Sequence, residues 1–522
     1  MHPAEPSPDS DKKSPSHLKS TGVVGSYTML SRILGLLRDV VIANFIGASA
    51  SADAFFVAFK IPNFLRRLFA EGAFAQAFVP VLSEYKTQRE HRAVKDLVDH
   101  VAGTLGLTLA LLTGIAVVAA PVIALVFAPG FIQYEEKFAL TTDLLRITFP
   151  YLFFISLTAF GGSILNSYGR FGVPAFTPVL LNIALICAAL FLAPNLKEPV
   201  MALGWGVLIA GVAQLLFQLP FLAQLHLSPR PRINRQHEGV KKILILMLPA
   251  IFGVSVSQIN LLLDTLLASF LQTGSVSWLY YSDRLVELPL GVFGIAIATV
   301  ILPSLSRLHS SQSTEKFIQT LDWALRSVCL IGVPAALALF ILAEPLIITL
   351  FQYGAMTERD VAMAAMSLRA YSFGLFAFML IKVLAPGYFS RQDTKTPVRI
   401  AIWAMVTNMV LNLILVWPLQ HAGLALATSL SSFLNAGLLF AGLYRLGLYR
   451  VQPGWKLLVL RLLFSNAVLV SGVLWFVEPT NIWLTWDWWV RAWHLGLLCL
   501  LGVALYFAAL LLSGVRFRHF RH

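Results

Sequence analysis

The sequence predicts an all-α polytopic membrane protein with about fourteen transmembrane helices, arranged as two six-helix lobes and a C-terminal helix pair. Of the 522 residues, 57% are apolar and only 12% are charged, which is about half the charged share of soluble domains. The mean hydropathy is +0.75. Because a helix needs roughly 20 mostly apolar residues to cross a bilayer, this composition leaves little of the chain for a water-soluble domain.

Apolar stretches of spanning length occur in fourteen places, and an even number puts both termini on one side of the membrane. The predicted spans are 22–47, 53–84, 98–127, 138–167, 174–194, 199–225, 241–271, 277–305, 318–349, 361–389, 397–417, 422–443, 456–477 and 489–514. Loops on the N-terminal side hold about 24 Lys and Arg, and those on the other side hold about four, which predicts cytoplasmic termini by the positive-inside rule.

The loops and spans define the predicted domains. They are a disordered cytoplasmic tail at 1–20, an N-lobe at 21–226, a C-lobe at 227–448, and the final helix pair with a basic tail at 449–522. The net charge of +13 is interpreted as the charge of cytoplasmic loops, so we expect no nucleic-acid partner. No phosphate-binding loop and no His-Glu-x-x-His motif occur, so we expect a transporter without catalytic residues rather than an enzyme.

The two lobes share a weak internal repeat. Ala75–Ser83 matches Ala298–Ser306 in Ala, Pro, Leu and Ser at an offset of about 223 residues. Two further pairs of segments agree in the same order, Ser31–Ile33 with Ser257–Ile259 and Tyr168–Arg170 with Phe389–Arg391. Six spans separate the matching elements, so the repeat is parallel and its axis runs along the membrane normal, with substrate expected between the lobes.

Charged and polar residues interrupt the first, second and eighth spans. They are Arg32, Arg38 and Asp39, then Asp53, Lys60, Asn63, Arg66, Arg67 and Glu71, and finally Asp283, Arg284 and Glu287. A charge at the bilayer centre costs about 2.5–3.5 kcal/mol, so these residues should face a polar interior. One interpretation is a cationic cavity for an anionic headgroup, because arginine donates two parallel hydrogen bonds to phosphate. The other is a set of structural ion pairs such as Arg67–Glu71 or Arg284–Glu287.

Several motifs resemble the MurJ (MviN) family of bacterial lipid II flippases. They are Ser-Arg-Ile-Leu-Gly-Leu-Leu-Arg-Asp at 31–39, the run from Ala52 to Phe74, Gly-Ser-Val-Ser-Trp-Leu-Tyr-Tyr-Ser-Asp-Arg-Leu at 274–285, and Ser-Arg-Gln-Asp-Thr-Lys-Thr-Pro at 390–397. The resemblance extends from about residue 20 to the C-terminus. It implies the fold of the multidrug/oligosaccharidyl-lipid/polysaccharide exporter superfamily. It also implies transport of the undecaprenyl-diphosphate-linked peptidoglycan precursor across the bacterial inner membrane by alternating access.

The resemblance also implies roles for individual residues. Cavity arginines would be Arg32, Arg38, Arg66 and Arg284, which would hold the diphosphate. Other functionally important charged residues would be Asp39, Asp53, Lys60, Arg67, Asp283 and Glu287. The carboxylates among them would pair with arginines in one state of the transport cycle. The last two helices would border a groove for the polyprenyl tail.

Hard oxygen ligands recur in the C-lobe at Asp264, Asn408, Asn412 and Thr428. A carboxylate, two amides and a hydroxyl suit a small cation such as Na⁺. Some members of the family are thought to bind sodium there, whereas others carry an acid in place of Asn412. The alternative is ordinary interhelical hydrogen bonding by Asn and Thr.

The expected function is therefore a lipid II flippase, with lipid II and membrane lipids as its partners and cell-wall synthesis or division machinery as a further candidate. Two alternative functions remain, a flippase for another polyprenyl-linked glycan and a cation-coupled exporter of the same superfamily. A membrane enzyme would need an acidic or metal-binding motif at the surface, and a scaffold without transport would tolerate neutral cavity variants.

Overall fold

The computed structural model describes residues 15–234 and 236–514, and these residues form helices and connecting turns with no strand. The first half of the chain comprises α1 (Pro15–Ile46), α2 (Ala50–Leu65), α3 (Ala75–Gln88), α4 (His91–Val118), α5 (Ala120–Phe127), α6 (Glu135–Thr148), α7 (Pro150–Ser167), α8 (Gly172–Cys187) and α9 (Pro199–Gln224). The second half comprises α10 (Glu238–Ser269), α11 (Ser275–Pro289), α12 (Ile295–Ser310), α13 (Thr314–Ile341), α14 (Ala343–Phe351), α15 (Glu358–Phe389) and α16 (Lys395–Arg445). The C-terminal part comprises α17 (Trp455–Phe476), α18 (Thr480–Thr485) and α19 (Trp488–Leu512).

Each of the fourteen predicted spans coincides with a helical stretch, but two of them start seven residues too late. The first helix begins at Pro15 rather than 22, so 15–20 is helical where a disordered tail was predicted. The third begins at His91 rather than 98, because hydropathy does not detect the charged turns by which a helix extends beyond the bilayer. Residues 1–14 of the predicted tail and the basic tail at 515–522 lie outside the described residues.

Among the described residues, nine helices are long and apolar enough to cross a membrane. One of these is α16, which contains both the eleventh and the twelfth predicted spans and changes direction at Gln420, where φ is 50°. The helices α2, α3, α11 and α12 are individually shorter than a span. A π-helical segment connects the members of each pair, at Arg66–Phe74 and at Leu290–Gly294.

The predicted repeat is visible in the backbone. The π-helical segments Arg66–Phe74 and Leu290–Gly294 occupy similar positions in the two halves. The first directly precedes its matched segment, and the second ends three residues short of its own. The break between α4 and α5 at Ala119 has φ −83° and ψ 9°, and the break between α13 and α14 at Leu342 has φ −89° and ψ 14°. These two breaks are 342 − 119 = 223 residues apart, which is the offset of the sequence repeat.

The described chain forms two compact units that do not follow the predicted lobe boundaries. The first unit contains the residues up to Arg38, Pro62–Val118 and Arg146–Ile251. The second unit contains Asp39–Ile61, Ala119–Leu145 and the chain from Phe252 onward. Helices α1, α2, α6 and α10 therefore contribute to both units.

The core of the first unit is built on α3, α4 and α7. Phe78, Leu97 and Ile164 are completely buried there, and Val240 and Ile243 from the start of α10 pack into the same cluster. The first turns of α10 thus belong to the first unit, although the sequence repeat assigns that helix to the second half.

Candidate functional site

A cluster of charged residues in the second unit surrounds Arg284 on α11. Its Nε lies 3.4 Å from a carboxylate oxygen of Asp39, and an Nη donates to Glu287 at 2.8 Å. Tyr280 donates its hydroxyl hydrogen to the other Asp39 oxygen at 2.8 Å. Asp39 is buried, whereas Glu287 and the neighbouring Asp283 are exposed. The structure therefore brings together three residues that the sequence singled out and confirms the Arg284–Glu287 ion pair.

Asp53 on α2 forms a second cluster of the same unit, and it is almost completely buried. One oxygen accepts hydrogen bonds from the backbone N–H of Ser277 at 3.0 Å and from the Ser277 hydroxyl at 2.6 Å. The other oxygen accepts the Gly274 N–H at 2.8 Å and lies 2.8 Å from Lys137 Nζ. The carboxylate thus caps the N-terminus of α11, where partial positive charge favours an anion.

Lys137 is a site residue that the sequence analysis missed. Its side chain is 3% exposed, and its Nζ lies 4.1 Å from the ring centroid of Phe131. A signal was present in the charge count, because Lys137 is one of the few basic residues on the side opposite the termini. Hydropathy alone could not show that Asp53 is its partner.

Arg38 lies in the first unit and is held by a residue that no sequence motif indicated. Asn182 on α8 accepts a hydrogen bond from Arg38 at 3.0 Å and donates one to the Ser31 carbonyl at 2.9 Å. Gly35 faces the same amide, and a Cβ there would lie 3.7 Å from it. Asn182 therefore fixes one orientation of a predicted cavity arginine that is itself 5% exposed.

The other predicted charges of the first two spans are less enclosed. Arg32, Lys60, Asn63 and Arg66 are half-buried, and Arg67 is exposed.

A spacing of four residues would place Asn63, Arg67 and Glu71 on one face of a regular α-helix, but α2 ends at Leu65 and a π-helical segment follows. The wider π turn changes this spacing. Asn63 instead accepts a hydrogen bond from Arg66 at 3.2 Å, and the Glu71 side chain lies outside the described residues.

The predicted sodium ligands meet in the second unit. Asp264 accepts hydrogen bonds from the Asn412 amide at 2.8 Å and from the Thr428 hydroxyl at 3.3 Å. Asn408 lies one turn before Asn412 on α16. Both of these amides are buried, and within the described part of the chain neither amide oxygen has a hydrogen-bond partner.

Comparisons with known proteins agree with one another over most of the chain. The model of a family described as "Lipid II flippase MurJ" matches residues 42–491. A Vibrio cholerae protein named "Probable lipid II flippase MurJ" is 52% identical over 508 residues, which cover 96% of this chain and 97% of the relative. A Burkholderia cenocepacia protein named "Lipid II flippase MurJ" is 43% identical, with 95% and 98% covered.

Solved structures show the same fold. A structure described as "Lipid II flippase MurJ, inward closed conformation" matches with a TM-score of 0.78 and 27% identity, covering 93% of this chain and 97% of that one. An inward-facing multidrug transporter of the MATE family matches with a TM-score of 0.66 at 15% identity, covering 82% and 98%, and this match bears on the fold alone. The chain, a multi-pass membrane transporter, belongs to the MurJ family of lipid II flippases.

Proposed function

We propose that this protein moves lipid II, the undecaprenyl-diphosphate-linked peptidoglycan precursor, from the cytoplasmic to the periplasmic leaflet of the bacterial inner membrane. The relatives' names support this substrate. The observation that carries the proposal is the environment of Arg284, a cation on a membrane helix that is held between two carboxylates. A diphosphate offers negative charge and pairs of oxygen acceptors that suit a guanidinium, as carboxylates do, so it can replace them.

Exchange of partners gives the arginines a cycle of binding and release. Glu287 is 46% exposed at its side chain and Asp39 is 2% exposed, so an arriving anion displaces Glu287 more easily than Asp39. Asp39, which Tyr280 also holds, then returns Arg284 to its resting contact after release. Arg38, oriented by Asn182, supplies a second cation for the headgroup.

Asp53 supports an alternating-access mechanism. It follows the turn that ends α1, and Gly274 lies in the turn between α10 and α11, so both lie on the side opposite the basic loops. The contacts of Asp53 with α11 join residues of the first and second halves of the chain. We infer that these contacts close the periplasmic side and break when the headgroup is released there.

We also propose that Asp264, Asn408, Asn412 and Thr428 can hold Na⁺. The amide oxygens of Asn408 and Asn412, which have no hydrogen-bond partner in the described part of the chain, fit this role. Rotation of the Asn412 amide by half a turn would direct its oxygen rather than its nitrogen toward Asp264. A bound cation would supply positive charge that neutralises Asp264. Lys60 also interacts electrostatically with Asp264, so its positive charge opposes the binding of a second cation there.

Cellular location and partners follow from the same proposal. Both termini lie in the cytoplasm of a bacterial cell, as the excess of basic residues in the loops of the N-terminal side indicates. The proposal includes the polyprenyl tail and surrounding membrane lipids as contacts, and cell-wall synthesis or division proteins as partners.

The test is rescue of a bacterium depleted of its own flippase. Wild type should restore growth, whereas Arg38→Ala and Arg284→Ala should not, at equal membrane levels. Arg89→Ala is the matched control, because Arg89 forms an exposed ion pair with Glu238 at 3.1 Å and such pairs contribute little. Failure of wild type would contradict the lipid II assignment, and rescue by both variants would contradict the role of the arginines.

A further inference from the structure

The connection between the two halves of the chain, described at residues 228–234 and 236–237, lies against α4 in the first unit; we call these residues the strap. The Arg230 N–H donates to the buried Asp99 carboxylate at 2.8 Å, and the Arg232 N–H donates to the Asp99 carbonyl at 3.0 Å. A Cβ at Gly103 would overlap the Arg232 carbonyl oxygen. The strap is therefore held on α4 in a defined register.

Three metal-ligating side chains meet at this contact. Asp96 and His100 are four residues apart on α4 and share a face of the helix, and His237 approaches them from the strap. One ring nitrogen of each histidine and a carboxylate oxygen all lie within 4.8 Å of one another. His237 Nε2 lies 3.2 Å from Asp96 Oδ2, close to the separation of about 3.3 Å between ligand atoms in a tetrahedral zinc site.

We propose that Asp96, His100 and His237 bind a divalent transition metal such as Zn²⁺, which fastens the strap to α4. Two imidazoles and one carboxylate suit zinc, whereas calcium and magnesium prefer sites made of oxygen. A cavity of about 810 Å³ opens beside Asp96, so water can fill a fourth position. Asp96 is 44% exposed at its side chain and the two histidines are 13% and 14% exposed, so a metal can enter from solvent.

The hydrogen bonds of the two rings determine what metal binding requires. The Nδ1–H of His100 points to the Asp96 carbonyl at 2.8 Å, which leaves Nε2 with a lone pair. His237 Nδ1 accepts the Gly239 N–H at 3.2 Å, so its Nε2 carries the hydrogen that faces Asp96. Metal binding moves this hydrogen from Nε2 to Nδ1 and breaks the Gly239 contact, without a change in net protonation.

The two neighbouring cations differ in their effect on the metal affinity. An Arg232 Nη lies 3.9 Å from Asp96 Oδ1 and competes with a cation for this carboxylate. Lys95 is paired with Asp99 one turn away, so its charge is compensated. Replacing Arg232 should therefore strengthen metal binding, which distinguishes a metal site from a purely structural cluster.

The experiment measures Zn²⁺ binding by calorimetry, with Co²⁺ absorption as a second probe, on the purified full chain carrying a tag free of histidine. We expect one site per chain, an affinity at least tenfold lower in His100→Gln and in His237→Gln, and a higher affinity in Arg232→Gln. His91→Gln is the matched control, because His91 is exposed at the start of the same helix, and its affinity should equal that of wild type.

Melting of each variant without metal shows whether it is folded. An unchanged melting temperature together with lost binding supports the metal site. Absence of Zn²⁺ binding at micromolar concentration in wild type, or equal binding by His237→Gln, would overturn the proposal. A folding defect in His237→Gln leaves His100→Gln and Arg232→Gln to decide the question.

Discussion

Arg284 shows how a single charged residue is held within the membrane region. Its two carboxylate partners differ in exposure, and Tyr280 hydrogen-bonds the more buried one while its ring lies 5.1 Å from the guanidinium. An arginine with two such partners has compensated charge, yet it keeps one partner that solvent or substrate can replace.

Asn182 provides a test at this scale. Asn182→Leu removes the acceptor for Arg38 and the donor for Ser31, so we expect failure to restore growth in the depletion strain at normal membrane levels. Asn182→Asp keeps an oxygen acceptor and should retain partial activity. Asn195→Leu, an exposed position outside these contacts, should behave as wild type. Full activity of Asn182→Leu would show that Arg38 needs no such partner.

The buried pair of Asp53 and Lys137 gives a second test. Removing one partner leaves a buried charge, which costs about 3–5 kcal/mol. We therefore expect Lys137→Met and Asp53→Asn each to lower the free energy of unfolding in detergent.

The double variant should be more stable than the sum of the single effects predicts, by about 0.5–3 kcal/mol. Strictly additive effects would mean that the two charges do not stabilise each other. The expected compensation arises because the double variant leaves no unpaired buried charge.

At the scale of elements, side chains from other segments satisfy the ends of several helices. Asp53 caps α11, as described above. Arg491 on α19 is 5% exposed and donates to the carbonyls of Ile348 at 3.4 Å and Gln352 at 3.0 Å, at the end of α14. A buried cation at a helix C-terminus is stabilised by the unpaired carbonyls there, so Arg491 ties α19 to α14.

Gly274 permits a test of one such helix end. Its φ is +100°, and a Cβ would lie 2.6 Å from the Trp278 ring. Gly447 has φ +69°, and no neighbouring atom lies within 4 Å of the position that a Cβ would take there. A substitution of Gly447 therefore measures the cost of the left-handed backbone without any steric overlap. A left-handed backbone costs an L-residue about 1–2 kcal/mol.

We therefore expect Gly447→Ala to lower the free energy of unfolding by about that amount, and Gly274→Ala to lower it further. The expected difference comes from the overlap with Trp278, and SDS-induced unfolding measures it. Equal losses would indicate that the Trp278 ring moves aside without cost.

At the scale of the whole molecule, the compact units do not coincide with the halves of the repeat. Segments 39–61 and 119–145 come from the first half of the chain, yet they belong to the second unit. The start of α10 shows the converse, since it packs into the core of the first unit. These assignments depend on packing rather than on chain order.

Sodium binding is tested on the whole protein, because the proposed ligands come from distant parts of the chain. Na⁺ should raise the melting temperature of the purified protein and K⁺ should not, and a cation at ten times its Kd stabilises by about 1.4 kcal/mol. Asn412→Leu should abolish the sodium effect. Asn466→Leu is the control, because Asn466 is also buried and its amide oxygen has no hydrogen-bond partner among the described residues. An equal response to both cations in wild type would exclude a selective site.

Sequence alone determined the helical membrane class, the fourteen spans and the repeat, because hydropathy and the spacing of matched residues are local properties of the chain. It also indicated Asp39, Arg284 and Asp264, because charges are rare and costly in apolar segments. It could not indicate Asn182, Lys137 or Arg491 as partners, or the π-helical register after Leu65. These features depend on which segments pack together, and only the tertiary structure decides that packing. A hydrogen bond between residues 84 or 144 positions apart leaves no periodic pattern in the sequence.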